Sequence, residues 1–364
     1  MKDYVRTVIS ISFARQMIRN RSISVERKIN RRCFLGILTA AGATAPFAAI
    51  AAGGPPPLSQ SGRATKTDRN PSRYKSSYSR ETATTDPALD VVTKSIPSTD
   101  IRLPVIGMGT WITFNVGDDP EARSVRTDVM RTFFANGGGM IDSSPMYGSS
   151  EEVVGHSLRQ LGLTPGLFSA TKVWTSSAAE GRRQVARSHD LWGVRQFDLQ
   201  QVHNLISWEA HLEMLFAMKK EGRLGHVGVT TSHGRRHGEL EEIMRTQPID
   251  FVQLTYNLVD REVENRLLPL AAERGIAVIA NRPFRGGPLL DRIQRERLPT
   301  WASEFDCGNW PQFLLKFIVS HPAVTCAIPA TTRVDHMREN MGAAQGRLPD
   351  AELRTRMLQH VSAL

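Results

Sequence analysis

Cysteine is scarce: three residues in 364 leave too few thiols for a disulfide framework or a four-thiolate zinc site. Aromatic residues reach only 7%, and 40% hydrophobic with 23% charged residues is the balance of neither a multi-span membrane protein, a collagen-like chain nor a wholly disordered polymer. A surplus of one charge is also missing from most of the chain. Residues 1–95 hold 16 of the 46 Lys and Arg but only 6 of the 36 Asp and Glu, so the net +10 lies there, and the other 269 residues balance at 30 against 30. A body without net charge lacks the electrostatic footprint of nucleic-acid binding.

The basic front carries Asn30-Arg31-Arg32-Cys33-Phe34-Leu35-Gly36, then a soft apolar stretch from Ile37 to Ala52. Basic residues, a modest apolar run and small residues before a cut form the pattern of an export signal. The arginine pair followed by Phe-Leu resembles a twin-arginine leader, read by a receptor rather than acting as an anchor. A cut after Ala51 would follow Ala49-Ile50-Ala51. Residues 1–52 are therefore expected to be a signal region recognised by the twin-arginine machinery, with a periplasmic or otherwise exported product and no stable membrane insertion after cleavage. Residues 53–93, rich in Pro, Ser, Thr and Gly, are expected to be a flexible linker that buries too little apolar surface to offset ordering. Of the cysteines beyond the cut, Cys326 lies mid-strand and reads as a buried free thiol.

From residue 94 to 364 short apolar runs alternate with stretches of helical period. The runs are Val105–Thr110, Met140–Ser144, Phe168–Val173, Phe197–His203, His226–Thr231, Phe251–Tyr256, Ala277–Arg282 and Val324–Ala330. Helices are expected near 121–136, 150–161, 178–191, 208–221, 235–246, 262–274, 310–320 and 335–344, with a last one from about 349. Strands separated by helices imply parallel pairing through right-handed crossovers. Eight such units in this length predict an α/β fold, a (β/α)8 TIM barrel. The rival open doubly wound sheet lacks its fingerprint, because no G-x-G-x-x-G opens the first helix and Gly137-Gly138-Gly139 precedes a strand instead.

A barrel of this kind places its site where strands end. Asp142 and Tyr147 follow the second run, Lys172 lies near the end of the third, His203 ends the fourth, and Gln253 and Tyr256 close the sixth. A lysine ammonium beside Tyr147 would stabilise its phenolate, and Asp142 would hold that lysine charged. His203 would orient a substrate oxygen. The set suits protonation of a carbonyl oxygen while hydride reaches its carbon, with the hydride drawn from a nicotinamide cofactor. No metal is expected. Two other readings exist: a lyase using Lys172 as a Schiff-base nucleophile, and a cofactor-binding sensor or partner subunit with little turnover.

The order of Gly107-Met-Gly109-Thr-Trp111, Ile141-Asp-Ser-Ser-Pro-Met-Tyr-Gly-Ser-Ser-Glu151, Thr171-Lys172-Val173, Gln201-Val-His203-Asn204, Gly222-Arg-Leu-Gly-His-Val-Gly-Val229, Gln253-Leu-Thr-Tyr-Asn257 and Ile328-Pro-Ala-Thr-Thr-Arg333 with Glu339-Asn340 resembles the aldo-keto reductases. The resemblance covers roughly residues 96–361. It implies NADPH-dependent reduction of an aldehyde or ketone, with Asp142, Tyr147, Lys172 and His203 as a tetrad and Tyr147 as general acid. It further implies a cofactor site from Gly109, Thr110, Trp111, Asn204, Thr230, Gln253, Tyr256, Thr332, Arg333, Arg338, Glu339 and Asn340. Within it, Gln253 would hold the carboxamide, Tyr256 would stack on the nicotinamide and Arg333 and Arg338 would face a 2′-phosphate. Arg285 would approach the pyrophosphate. Two positions depart from the family: Thr230-Thr231 replaces its Ser-Asn, and Ala330 replaces its Gly. Trp111, Phe114, Met146 and Trp174 are expected to line an aromatic substrate mouth, with Phe114–Arg126 and Phe284–Asn309 as lid segments.

Overall fold

The computed structural model describes residues 90–97, 99–162 and 166–364; the expected signal region and nearly all of the expected linker lie outside them. Eight parallel strands follow one another in chain order around a barrel: β3 (Met108–Gly109), β4 (Met140–Asp142), β5 (Phe168–Val173), β6 (Phe197–Val202), β7 (Leu224–Thr230), β8 (Phe251–Thr255), β9 (Ala277–Asn281) and β10 (Cys326–Ala327). Eight helices lie between or after them: α1 (Pro120–Ala135), α2 (Ser150–Leu161), α3 (Ala178–Trp192), α4 (Trp208–Lys220), α5 (His237–Thr246), α6 (Leu267–Arg274), α7 (Pro288–Ile293) and α8 (Trp310–Val319). After β10 come α9 (Val334–Gly342) and α10 (Ala351–Ser362). The nearly closed parallel sheet is that of a (β/α)8 barrel.

The seam between first and last strands has little regular ladder, although the sequence expects long strands on both sides. A parallel bridge joins Ile106 to Ala327, the Gly107 amide donates to the Ala327 carbonyl at 2.8 Å, and the Gly109 amide donates to the Pro329 carbonyl at 3.0 Å. Pro329 has no amide hydrogen to return to the ladder. Closure demands close backbone approach: a Cβ on Gly109 would stand 2.9 Å from the Ile328 carbonyl oxygen.

Two features have no counterpart in the expected alternation. An antiparallel pair, β1 (Thr93–Ser95) and β2 (Arg102–Pro104), precedes the barrel; three-residue strands are too short to register as a period-two pattern. Its Ile96 and Leu103 join Phe168, Leu199, Phe251, Ile279 and Cys326 in the apolar interior of the barrel. The stretch expected as a lid, 284–309, contains α7 and a 3-10 turn at Thr300–Phe305, anchored by buried Leu289, Ile293 and Phe305. The expected helix at 262–274 is divided into a 3-10 turn, Glu262–Glu264, and α6. Capping sets several helix starts: Asp119 accepts from the Glu121 and Ala122 amides ahead of Pro120, and Ser177 accepts from the Glu180 amide, satisfying donors that the first turn leaves unpaired. No helix among the described residues is long and apolar enough to cross a membrane.

Candidate active site

Side chains on a strand alternate between the two faces of the sheet. In β5, Phe168 and Ala170 face the barrel interior, and the same parity turns Lys172 inward. In β8, Phe251 faces inward, and Gln253 follows. The Lys172 ammonium donates to Asp142 Oδ2 at 2.5 Å and to the Ser143 carbonyl at 2.7 Å. Asp142 Oδ1 accepts from Gln201 Nε2 at 3.1 Å and from Gln253 Nε2 at 3.0 Å. Lys172 has no exposed surface and Asp142 has 2%. Burial of this kind is tolerated only because every charge has a close partner.

Tyr147 sits above that pair. Its ring centroid is 5.2 Å from Lys172 Nζ and 5.6 Å from the His203 ring, edge to face. The loop carrying it is tied from both sides: Ser150 Oγ donates to the Tyr147 carbonyl, and Asn115 Oδ1 accepts from Ser149. His203 Nδ1 and Ser144 Oγ share a hydrogen bond of 3.0 Å, leaving Nε2 as the ring nitrogen without a protein partner. A strained turn aims this histidine, because Asn204, Leu205 and Ser207 all have positive φ, at a cost of order 1–3 kcal/mol each. The turn is held by the Asn204 amide donating to Thr230 Oγ1 and by Arg236 donating to the Asn204 carbonyl.

Burial, reinforced by the Asp142 carboxylate, pushes the Tyr147 phenol well above its ordinary value. Tyr147 is thus held as a neutral O–H, a donor in waiting. Burial also lowers Lys172, with Asp142 pulling back toward the charged form. It lowers His203 well below 6.5, with the Lys172 charge acting in the same direction, so the imidazole is neutral at pH 7.

These groups open on a cavity of about 650 Å³. Gly109, Thr110, Trp111, Met146, Asn204, Thr230, Gln253, Glu339 and Asn340 line it together with Asp142, Tyr147 and His203. Several expected residues are elsewhere. Tyr256 is the clearest case: inward Gln253 sends Val252, Leu254 and Tyr256 to the helical layer. There the Tyr256 hydroxyl donates to Glu264 at 2.5 Å and accepts from Arg354 at 2.8 Å, so it cannot stack in the cavity. Phe114 is fully buried because its loop folds back, the Phe114 amide donating to the Thr110 carbonyl. The Trp174 backbone is held by the Gln184 amide, away from the lining. Thr332, Arg333 and Arg338 are exposed and outside the lining, and the Arg333 guanidinium is taken by Asp335. Arg285 pairs with Asp260 at 3.0 Å.

The sequence reading missed Asn281, Arg282, His233 and His336, which do line the cavity. Arg282 is partly buried, donates to the Arg285 carbonyl and forms no ion pair within 4.0 Å among the described residues; its positive φ of 54° turns the chain at the cavity edge. It also missed Gln201, whose only signal was its parity with His203.

A cofactor's fit is tested by what the cavity leaves unsatisfied. Thr231 belongs to the lining, and its buried Oγ1 has no hydrogen-bond partner among the described residues, so it is a spare donor and acceptor in the cavity wall that a ligand reaches once the side chain turns. Arg282 supplies a cation at a second point of the same cavity. A nicotinamide dinucleotide, with an amide at one end and phosphates further along, fits that donor set.

Comparison with known proteins agrees with this architecture. The Aldo/keto reductase family profile matches residues 105–356. The chain is an aldo/keto reductase. It is 27% identical over 264 residues to "Methylglyoxal reductase YeaE" of Escherichia coli (strain K12), covering 70% of this chain and 90% of that protein. It is 24% identical over 322 residues to the "NADH-specific methylglyoxal reductase" of the same organism, covering 71% and 96%. Among solved structures, an aldo/keto reductase from Klebsiella pneumoniae in complex with NADP and acetate superposes with a TM-score of 0.63 at 23% identity, over 75% of this chain and 96% of that one.

Proposed function

We propose that this aldo/keto reductase reduces an aldehyde or ketone with NADPH, using Tyr147 as general acid. The observation that carries the reading is the buried Lys172–Asp142 pair directly behind Tyr147, which lines the cavity. Bound NADPH supplies the hydride that adds to the carbonyl carbon. Tyr147 Oη gives its proton to the carbonyl oxygen, and the nearby Lys172 ammonium stabilises the phenolate left behind. His203, neutral and fixed by Ser144, offers Nε2 to the same oxygen and sets its position. Asp142 keeps Lys172 charged, while Gln201 and Gln253 fix the carboxylate. Of the residues lining the cavity, Thr231 and Asn281 would hold the nicotinamide end of the dinucleotide, Arg282 its phosphates, and Glu339 and Asn340 its adenosine. Trp111 and Met146, 42% and 38% exposed, form an apolar rim that sheds water from the carbonyl.

The lyase alternative loses its nucleophile, because Lys172 is fully buried, spends its donors on Asp142 and Ser143 and does not line the cavity. The proposal extends to the leader: the enzyme folds, takes up its dinucleotide and then leaves the cytoplasm through the twin-arginine machinery. A tagged form should stay in the cytoplasm of cells lacking that machinery; unchanged export would reject the route. The activity itself is tested by quenching of NADPH fluorescence on binding, then by NADPH oxidation with a panel of aldehydes and ketones. Binding without oxidation across the panel would favour the sensor reading instead.

A further inference from the structure

One buried acid stands outside the reaction just described. Glu151, in the first turn of α2, is 2% exposed and is not part of the cavity lining. Its Oε1 accepts from Thr171 Oγ1 at 2.6 Å and from Trp192 Nε1 at 3.2 Å, and its Oε2 accepts from Ser188 Oγ at 3.0 Å. Those donors come from β5 and α3, so the carboxylate fills a polar knot between the barrel wall and two helices. The helices meet closely there: a Cβ on Gly155 would fall on the Leu191 carbonyl oxygen. No Lys, Arg or His lies within ion-pair distance of Glu151 among the described residues.

Position makes this acid more than packing. Thr171 precedes Lys172 on β5, its side chain outward where that of Lys172 is inward, so Glu151 grips the strand immediately behind the catalytic ammonium. Glu151 follows Tyr147 by four positions, and Ser150 between them bonds back to the Tyr147 carbonyl. One carboxylate thus anchors the segment bearing the proton donor and the strand bearing its cation. Indole N–H can only donate, so a protonated Glu151 would waste acceptor capacity that the ionised form uses fully.

We propose that Glu151 is a positioning residue whose negative charge, acting through the barrel wall, keeps Lys172 protonated beneath Tyr147. The proposal rests on the reading of Tyr147 and Lys172 given above. The charged and titratable groups around Lys172 are Asp142 from β4, Tyr147 from the loop after it, His203 after β6 and Glu151 from α2; the α3 and β5 neighbours of Glu151 are uncharged. Asp142 alone compensates the ammonium one for one, and a second carboxylate offsets part of the desolvation that favours the free amine. Burial raises the Glu151 carboxyl overall, against the downward pull of its three donors and Lys172, so its charge depends on those donors and on the ammonium, and the two groups are mutually dependent.

The test uses protein carrying 13C at the lysine Cε, a simple spectrum because the chain has nine lysines, with the Lys172 signal assigned by its loss in Lys172→Met. In Glu151→Gln, which keeps shape and most hydrogen bonds, the Lys172 titration midpoint should fall by roughly one pH unit or more. The alkaline limb of kcat should move by the same amount, with the dissociation constant for NADPH unchanged. Glu151→Asp should restore the midpoint, since it restores the charge. Thr171→Val, which removes the closest donor and so favours the protonated acid, should move the midpoint the same way by less, and it answers the question if Glu151→Gln does not fold. An unmoved midpoint in either folded variant overturns the proposal. Because the resonance is read without turnover, a moved midpoint in a protein that reduces no carbonyl would sink the functional reading and leave this one standing.

Discussion

Two ends of the same barrel each hold a lysine ammonium, Lys172 fully buried and Lys94 half-buried, and they satisfy it differently. At the C-terminal mouth Lys172 spends its donors on the Asp142 carboxylate and one carbonyl. At the opposite end, Lys94 of β1 donates to two backbone carbonyls, His321 at 2.7 Å and Val324 at 2.6 Å. Neutral carbonyls hold an ammonium in place but add no charge, so Lys94 clamps the hairpin to the loop before β10 and does nothing else. A carboxylate holds the ammonium and also fixes its charge, which is what a neighbouring phenol about to lose its proton requires. A buried lysine is therefore informative about chemistry only when its partner is known.

Five measurements sharpen or break this contrast. Tyr147→Phe should lower carbonyl turnover by about 10²–10⁴-fold, the range of a lost general acid, while NADPH affinity stays near wild type in a fluorescence titration. Loss of binding instead would move Tyr147 out of the chemistry. Next in size, Asp142→Asn strands a buried ammonium and should cost about 3–5 kcal/mol in denaturant unfolding, along with turnover. Lys94→Met removes the ammonium and leaves two carbonyls short, a loss of about 1–3 kcal/mol, and should leave kcat intact. Equal effects on kcat would erase the distinction between the two ends.

Thr231→Val should weaken NADPH binding by about 0.5–1.5 kcal/mol, one hydrogen bond's worth, and leave the unliganded protein no less stable, because its hydroxyl has no partner there. The last effect is in pH. Burial, with the Arg354 charge assisting, lowers Lys94 to about 8 from 10.5, so between those values the unfolded chain binds more protons than the folded one. Stability then rises with pH across that window. Relative to Lys94→Met, wild type should gain stability from pH 8 toward pH 10.5 and gain nothing from this group below pH 8. A difference that shrinks as pH rises would show that the Lys94 amine is not held as described.

Much of the site was legible because its parts lie at strand ends, where the period of the chain says which way they point. Asp142, Tyr147, Lys172 and His203 converge as their positions on runs two to four require. Tyr256 shows where such reading fails. It follows the end of the strand that carries Gln253, but an odd separation of three residues puts it on the other face, and the aromatic ring that suits a nicotinamide packs on Phe317 instead. Arg333 is a different case: its exposed guanidinium pairs with Asp335 two residues on, a weak surface contact that a phosphate can displace and that the period of the chain does not announce. Arg282 escaped notice because its role depends on a left-handed turn after β9, and nothing in a one-dimensional pattern announces positive φ on an arginine.

The amino-acid order by itself determined the barrel and the four side chains at its mouth, since hydrophobic periodicity sets strand, helix and facing with only local information. Tertiary structure alone decided the cavity's unpaired Thr231 and Arg282, the hairpin beneath the barrel and the Glu151 knot behind β5. Each of those depends on which distant groups meet, and charge and hydrogen-bond satisfaction are properties of neighbours rather than of residues.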